Sequence, residues 1–344
     1  MQALILADMK KSSTNCLTRY DPDCMIQIDG ISIIERMLKQ LDKNKVSKVI
    51  IVVGHNKEKI IGAISDLNLK AEIVILENDS CEETGSIYSL LLAKDHLLLD
   101  DTVILNAQMI VEDSALESVL NEKKECNVLV DTDKNWMTGK TVSIGDDERV
   151  LSFGKKKISN TYSSRASYKM VGICKFDRTF AGKYYIPVLE TMTNVLGNSL
   201  DYSAPLNTIA MSEDVKIRAL YIGNAHWREI NNIEDINQAT ILFSKDKKSV
   251  ADKMLGSWGG YWRYPDYLDY FYLVTPYYPP CELVEELQNN FKALLEQYPS
   301  GMRVNAELAA SAFGITPENI IVGNGAAELI KSMMGFIKGK TGFV

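Results

Sequence analysis

The sequence lacks an excess of basic residues, paired cysteines and long apolar runs, and each absence excludes a class of protein. Its 344 residues carry a formal net charge of −7 with a pI near 5.2, whereas a nucleic-acid-binding surface needs a basic footprint. The six cysteines include no C-x-x-C pair, which argues against a zinc site or a secreted disulfide framework. No run of about 18 apolar residues occurs, so no membrane span is predicted. We therefore expect a cytoplasmic protein that binds neither nucleic acid nor membranes.

Glycine is missing where a phosphate-binding turn would need it. The first apolar run, Ala3–Ala7, predicts a buried strand, but no glycine follows it before Gly30. A strand that enters a glycine-rich turn offers backbone N–H groups to phosphates, and this chain lacks that turn. Histidine is also scarce: His55, His96 and His226 are isolated, and without a second ligand at helical spacing we expect surface or core roles for them.

What the sequence does contain is a regular alternation of strand-like and helix-like segments. Strands are predicted at 3–7, 48–54, 71–76 and 102–105, and helices at 31–41, 56–67 and 86–97. This pattern predicts an α/β fold, a Rossmann-like and mostly parallel mixed sheet with helices on both faces. Ligands of such sheets bind beyond the carboxyl ends of the strands.

The later part of the chain changes character twice. Short runs between residues 126 and 176 predict added strands, some of them antiparallel, followed by helices at 177–196, 201–212 and 233–243 and a strand at 215–222. The charged stretch 244–249 predicts a linker, which divides the chain into domains at 1–245 and 246–344. The second domain is predicted to be mainly helical, with helices at 282–297 and 303–313, a short strand at 319–322 and a helix from residue 326.

Near its start the chain reads LILADMKKSSTNCLTRYDPDCMIQIDGISII. This segment aligns without a gap with LILAAGxGxRLxPLTxxxPKxLxxVxGxPLI, the opening of the nucleotidyltransferases that include the sugar-phosphate nucleotidylyltransferases and the choline-phosphate cytidylyltransferases of the LicC type. The first 245 residues resemble that family. Further segments agree in the same order, namely TGSIYSLLLA at 84–93, VILNAQMIV at 103–111 and HWREINNIEDINQA at 226–239. The resemblance implies the nucleotidyltransferase fold.

The residues that carry the family's chemistry are replaced. The family holds a divalent metal between two aspartates, and those positions fall on Gln108 and Asn231. Its loop arginine falls on Ser13 and its phosphate-binding lysine on Asp23. The loop glycines fall on Met9 and Lys11, and Asp8 takes an alanine position. By the resemblance, the nucleotide would contact Leu6, Ala7, Asp8, Met9, Lys10, Lys11, Thr84, Gly85, Ser86 and Gln108.

These replacements favour a domain without catalytic activity that keeps a ligand-binding or scaffold role. One alternative is an active CTP-dependent cytidylyltransferase for phosphocholine or 2-aminoethylphosphonate, which would require Mg²⁺; Lys10, Lys11 and Arg19 would then contact phosphate. Another is a non-enzymatic interaction module. The expected partner is a nucleotide such as CTP or a phosphorylated small molecule.

The last 99 residues contain the segment YPSGMRVNAELAASAFGITPENIIVGNGAAELI. On the strength of this segment, they resemble the start of a class I/II pyridoxal-phosphate aminotransferase of the histidinol-phosphate type. By this resemblance, Gly325, Ala326 and Ala327 would bind the cofactor phosphate at a helix N-terminus. Lys331, Lys338 and Lys340 lie too close to that turn to be the Schiff-base lysine, so we expect pyridoxal phosphate only in a longer, bifunctional nucleotidyltransferase/aminotransferase. A homodimer through this region is a further expectation.

Overall fold

The computed structural model describes residues 1–8, 21–134, 137–155, 167–212, 215–256, 268, 270, 275 and 277–339. The chain separates into two compact units, residues 1–266 and 267–344. The predicted division at residue 245 concerned descent from two families, and it stays a prediction.

The first part of the larger unit alternates strands and helices. In chain order the elements are β1 (Gln2–Ala7), β2 (Gln27–Ile28), β3 (Ile31–Ser32), α1 (Ile33–Lys43), β4 (Lys48–Val53), α2 (Lys57–Ser65), β5 (Glu72–Glu77), α3 (Ser86–Leu92), α4 (Lys94–Leu97), β6 (Thr102–Asn106), β7 (Met109–Val111) and α5 (Asp113–Asn121). The predicted helix at 31–41 begins two residues late, because Ser32 is its N-cap and accepts a hydrogen bond from the Glu35 N–H group.

The second part adds strands and packs helices against them. It comprises β8 (Cys126–Thr132), β9 (Lys140–Ile144), β10 (Val150–Lys155), β11 (Ser167–Phe176), α6 (Arg178–Phe180), a π-helical turn (Ala181–Tyr185), α7 (Ile186–Leu196), α8 (Ser203–Ala210), β12 (Arg218–Tyr221), β13 (Trp227–Glu229), α9 (Ile233–Phe243) and α10 (Lys247–Leu255). The predicted linker at 244–249 is therefore half helical, because Asp246 caps α10 through the N–H groups of Lys248 and Ser249.

Nine of the described strands form one sheet with the path β10-β9-β11-β6-β1-β4-β5, in which β8 joins β11 to β12. The remaining described strands form two small sheets, β2 with β3 and β7 with β13. Strands β6, β1, β4 and β5 are parallel, while β11 runs antiparallel to β6. This arrangement confirms the predicted α/β sheet with added antiparallel strands.

Strand β1 is buried on both faces because helices cover both sides of the sheet. Its side chains alternate: Leu4 and Leu6 pack with Leu90 of α3 in one hydrophobic cluster, and Ile5 packs with Leu38 of α1 in the other. A strand that is buried on both faces has apolar side chains throughout, which is why residues 3–7 could be predicted as a strand from the sequence.

The smaller unit is helical, with α11 (Cys281–Glu296), α12 (Met302–Phe313) and α13 (Ala326–Met334). The strand predicted at 319–322 is wrong: a 3-10 turn spans Pro317–Asn319, and residues 320–323 have no regular structure. The proline fixes a backbone angle that favours a turn. Among the helices that the structure describes, none is both long and apolar enough to span a bilayer.

Candidate functional site

The strand order places a crevice at the carboxyl ends of β1 and β6. Strands β4 and β5 lie on one side of β1, and β6 lies on the other. The order in which successive strands are added to the sheet therefore reverses at β1. Open α/β sheets bind ligands at such a switch point. Leu6 and Ala7 at the end of β1, and Gln108 just after β6, line a cleft there together with Asp21, Asp23 and His55.

In this cleft, Gln108 and Asp23 are hydrogen-bonded to each other, and both stand at functional positions of the family that the sequence resembles. The side-chain amide of Gln108 donates a hydrogen bond from Nε2 to Oδ2 of Asp23. Gln108 is 9% exposed, and Asp23 lies in a short 3-10 turn at Asp23–Met25. By the resemblance, a lysine and an aspartate would stand at these two positions. Here a carboxylate and an amide occupy them and are hydrogen-bonded to each other, so the positive charge of the lysine is gone.

Asp8 directs its carboxylate into the protein at the end of β1. Its oxygens accept hydrogen bonds from Asn78 Nδ2 at 2.7 Å and from Ser89 Oγ at 2.7 and 2.9 Å. Burial raises the pKa of Asp8, and the bonds from Asn78 and Ser89 oppose that rise. Asn78 also donates to Thr84 Oγ1 at 3.0 Å, so the network ties the end of β1 to the loop that precedes α3.

That loop forms a second cavity, of about 180 Å³, which is lined by Asp8, Thr84, Gly85, Ser86 and Asp201, among others. The Gly85 N–H group donates to the Asn198 carbonyl oxygen at 2.7 Å. A Cβ atom at Gly85 would lie 2.2 Å from the Leu200 carbonyl oxygen. Glycine is therefore required where this loop packs against the backbone of residues 198–200.

Asn231 directly follows a residue whose backbone is hydrogen-bonded to Gln108. Strands β13 and β7 are paired antiparallel, and the Ile230 N–H group donates to the Gln108 carbonyl oxygen at 2.9 Å. The Asn231 N–H group donates to Asp235 Oδ2 at 2.9 Å. Burial raises the pKa of Asp235, a residue of the α9 capping box.

A third cavity, of about 200 Å³, lies beside Asn231 and is lined by an ion pair between a buried lysine and a half-buried glutamate. Lys169 of β11 donates to Glu229 Oε2 at 2.9 Å, with the two side chains 4% and 25% exposed. Neither residue was predicted as a site residue from the sequence. Lys169 could have been noticed, because it and Lys175 are the two charged residues of a largely apolar strand.

These residues do not fit the family's metal. Gln108 directs an amide donor at Asp23, and Asn231 supplies no carboxylate, whereas magnesium sites use carboxylate oxygens. Among the residues that the structure describes, no three His, Cys, Asp or Glu side chains cluster as metal ligands do. Met9, Lys10, Lys11, Ser13 and Arg19 lie outside the described residues.

The predicted cofactor turn lies in the smaller unit. Gly325 has φ +94, and α13 begins at Ala326, so Ala326 and Ala327 form the first turn, whose N–H groups have no intrahelical partner. Glu328 accepts a hydrogen bond from the Asn324 N–H group. The geometry is that of a helix N-terminus after a glycine turn, and its use for pyridoxal phosphate remains a prediction.

Solved structures with the same architecture are CTP transferases and related enzymes. The inositol-1-phosphate CTP transferase from T. maritima superposes with a TM-score of 0.56 at 17% identity, over 74% of this chain and 97% of its own. The CTP:phosphocholine cytidylyltransferase from Streptococcus pneumoniae gives 0.57 at 16% identity, over 71% and 99%. The chain has the nucleotidyltransferase fold. At these identities the likeness concerns the fold alone.

Curated relatives extend the similarity. The CMP-5'-(3-aminopropyl)phosphonate synthase of Streptomyces rubellomurinus is 25% identical over 335 residues, 96% of this chain and 52% of that protein. The bifunctional protein GlmU of Methanococcus maripaludis is 29% identical over 244 residues, 71% of this chain and 54% of its own length. The chain thus spans about half the length of these relatives. No model of a known protein family matches it.

Proposed function

We propose that residues 1–245 form a cytidylyltransferase-like domain that binds a nucleotide or a small phosphorylated molecule and has lost metal-dependent transfer. Residues 246–344 would begin an aminotransferase-like region of a bifunctional protein. The similarity to the S. rubellomurinus synthase extends through this region, which supports treating the two parts as one inherited unit.

The hydrogen bond from Gln108 to Asp23 carries the proposal. Nucleotidyl transfer develops negative charge on phosphate oxygens, and that charge has to be met by cations. At this site the cleft instead presents a carboxylate, held by the amide that replaces a metal ligand. Such a site repels a triphosphate at the step where the family attracts it.

Binding without transfer remains compatible with the rest of the crevice. The cavities at Thr84–Ser86 and at Asn231 are both lined by polar groups, and neither depends on Gln108 or Asp23. We therefore expect CTP or an acceptor-like molecule to bind with an affinity that Mg²⁺ does not raise. Calorimetric titration of CTP with and without Mg²⁺ tests this directly, and a tenfold or larger Mg²⁺ effect contradicts it.

A second candidate function is active CMP transfer to an aminophosphonate. Its support is the similarity to a synthase of a CMP-aminopropylphosphonate over 96% of the chain. Release of pyrophosphate from CTP and Mg²⁺ in the presence of 2-aminoethylphosphonate, 3-aminopropylphosphonate or phosphocholine distinguishes the two candidates. Absence of release favours the first, and release that needs the acceptor favours the second. If neither CTP nor an acceptor-like molecule binds, the third hypothesis, a non-enzymatic interaction module, is favoured.

A further inference from the structure

The cavity beside Asn231 contains a buried ammonium group whose donors are incompletely used. Lys169 is 4% exposed, and the one hydrogen bond that the described residues provide to its Nζ atom is to Glu229. An ammonium group has three N–H donors. A buried donor without a partner costs about 1–3 kcal/mol, so an oxygen atom placed in this cavity would be held by Lys169.

Lys175, six positions along the same strand, shows how a buried ammonium group is usually accommodated by hydrogen bonds within the protein. It is also buried, but its Nζ atom donates to two backbone carbonyl oxygens, those of Leu120 and Glu122. Lys175 therefore has a structural explanation within the fold. Lys169 faces a cavity of about 200 Å³ instead.

The backbone of Gly139 packs closely against the ion pair. A Cβ atom at this glycine would lie 2.7 Å from Lys169 Nζ and 3.5 Å from Glu229 Oε2, and its φ of +95 also favours glycine. A side chain at position 139 would therefore crowd both charges. Lys169 and Glu229 both line the cavity on their other side, so a ligand in the cavity can contact both charges.

The charges around the cavity have both signs. Lys169 and Arg228 are cationic, while Glu229, Glu234 and Asp235 are acidic. A purely anionic ligand would meet three carboxylates, and a purely cationic one would meet a buried lysine. A ligand that carries both charges would place each of its charged groups beside a lining residue of opposite charge. At about 30 Å³ per water molecule, the cavity also suits a small molecule in place of roughly seven waters.

We propose that this cavity binds a small aminophosphonate or amino-substituted phosphate monoester, with Lys169 bound to the anionic group and Glu229 to the ammonium group. The inference rests on the proposed function for its ligand class, and it adds the residues that recognise the ligand. It does not require transfer to occur.

The test is calorimetric titration of the full chain, without CTP or Mg²⁺, using 2-aminoethylphosphonate and methylphosphonate. We expect K169M to weaken 2-aminoethylphosphonate binding about tenfold or more, the loss of one hydrogen bond to a charged group. K175M is the matched control, since it also removes a buried ammonium from β11, and it should change the affinity less than about twofold. K169R keeps the charge and should retain part of the binding if K169M does not fold.

Glu229→Gln separates a binding role from a structural one. It removes the carboxylate that competes for Lys169, so methylphosphonate should bind more tightly, while the preference for 2-aminoethylphosphonate over methylphosphonate should fall several-fold. Loss of a merely structural pair would not change this preference. The inference is overturned if wild-type protein binds neither compound, or if K169M and K175M weaken binding equally. Because pyrophosphate release is measured separately, failure of the proposed loss of activity would be seen independently of this result.

Discussion

Gln108→Glu replaces the amide that donates to Asp23 with a carboxylate of the same shape. The substitution removes the hydrogen bond between Gln108 and Asp23 and places two negative charges in contact at a site where Gln108 is only 9% exposed. It therefore tests whether this pair has the polarity that the structure assigns to it.

The expected cost follows from two contributions. A hydrogen bond to a charged group contributes about 1.5–3 kcal/mol, and two carboxylates about 4 Å apart repel by about 4 kcal/mol at an effective dielectric constant of about 20. Because one carboxyl of such a pair can take up a proton, the full sum is not reached. We expect the free energy of unfolding to fall by about 2–4 kcal/mol at pH 8, and by less at pH 5.

Urea unfolding followed by circular dichroism measures this change. With a denaturant dependence of about 3 kcal/mol per molar, the midpoint should fall by roughly 1 M at pH 8. Gln27→Glu, at an exposed position of β2, is the matched control and should stay within about 0.5 kcal/mol of wild type. The double variant D23N/Q108E exchanges donor and acceptor and should recover most of the loss. Equal midpoints for Q108E and Q27E, or no recovery in the double variant, would refute the assigned contact.

Two further predictions concern the neighbouring cavity. Gly85→Ala should lower the melting temperature by several degrees, about 2 kcal/mol or more, because its Cβ atom would lie 2.2 Å from the Leu200 carbonyl oxygen. Gly62→Ala, a helical position with open space, should be neutral or stabilising by up to about 1 kcal/mol, and equal losses would contradict the steric argument. The pKa of Asp8 is raised by burial in the folded state, so the folded protein binds more protons than the unfolded chain in the range that begins near 3.8. This residue's contribution to stability therefore falls as pH rises through that range. The urea midpoint of the wild-type protein should fall relative to that of Asp8→Asn as the pH rises above about 3.8, and a difference that does not change with pH would contradict the burial argument.

Local patterns in the sequence predicted the framework well. The apolar run at residues 3–7 became β1, and the β-branched run that begins at Lys48 became β4, because strands buried on both faces need apolar side chains throughout. The strand predicted at 319–322 is wrong because three successive apolar residues, 320–322, suggest a strand even where no partner strand is present to bond with them.

The site was harder to predict, since its contacts join distant parts of the chain. The alignment identifies Asp23 and Gln108 as two separate replacements, one of a phosphate-binding lysine and one of a metal-binding aspartate. Their mutual hydrogen bond, across 85 positions, could not be inferred from either residue alone. The same holds for Lys169 and Glu229, 60 positions apart, whose pairing depends on the relative placement of β11 and β13.

The most direct test of the lost activity is pyrophosphate release by wild-type protein beside the variant D23K/Q108D/N231D, with CTP, Mg²⁺ and 2-aminoethylphosphonate. The substitutions restore the family's lysine and both aspartates together. We predict no release by wild type above the protein-free rate, and measurable acceptor-dependent release by the variant. Robust release by the wild-type protein, abolished by chelating Mg²⁺, would contradict the account.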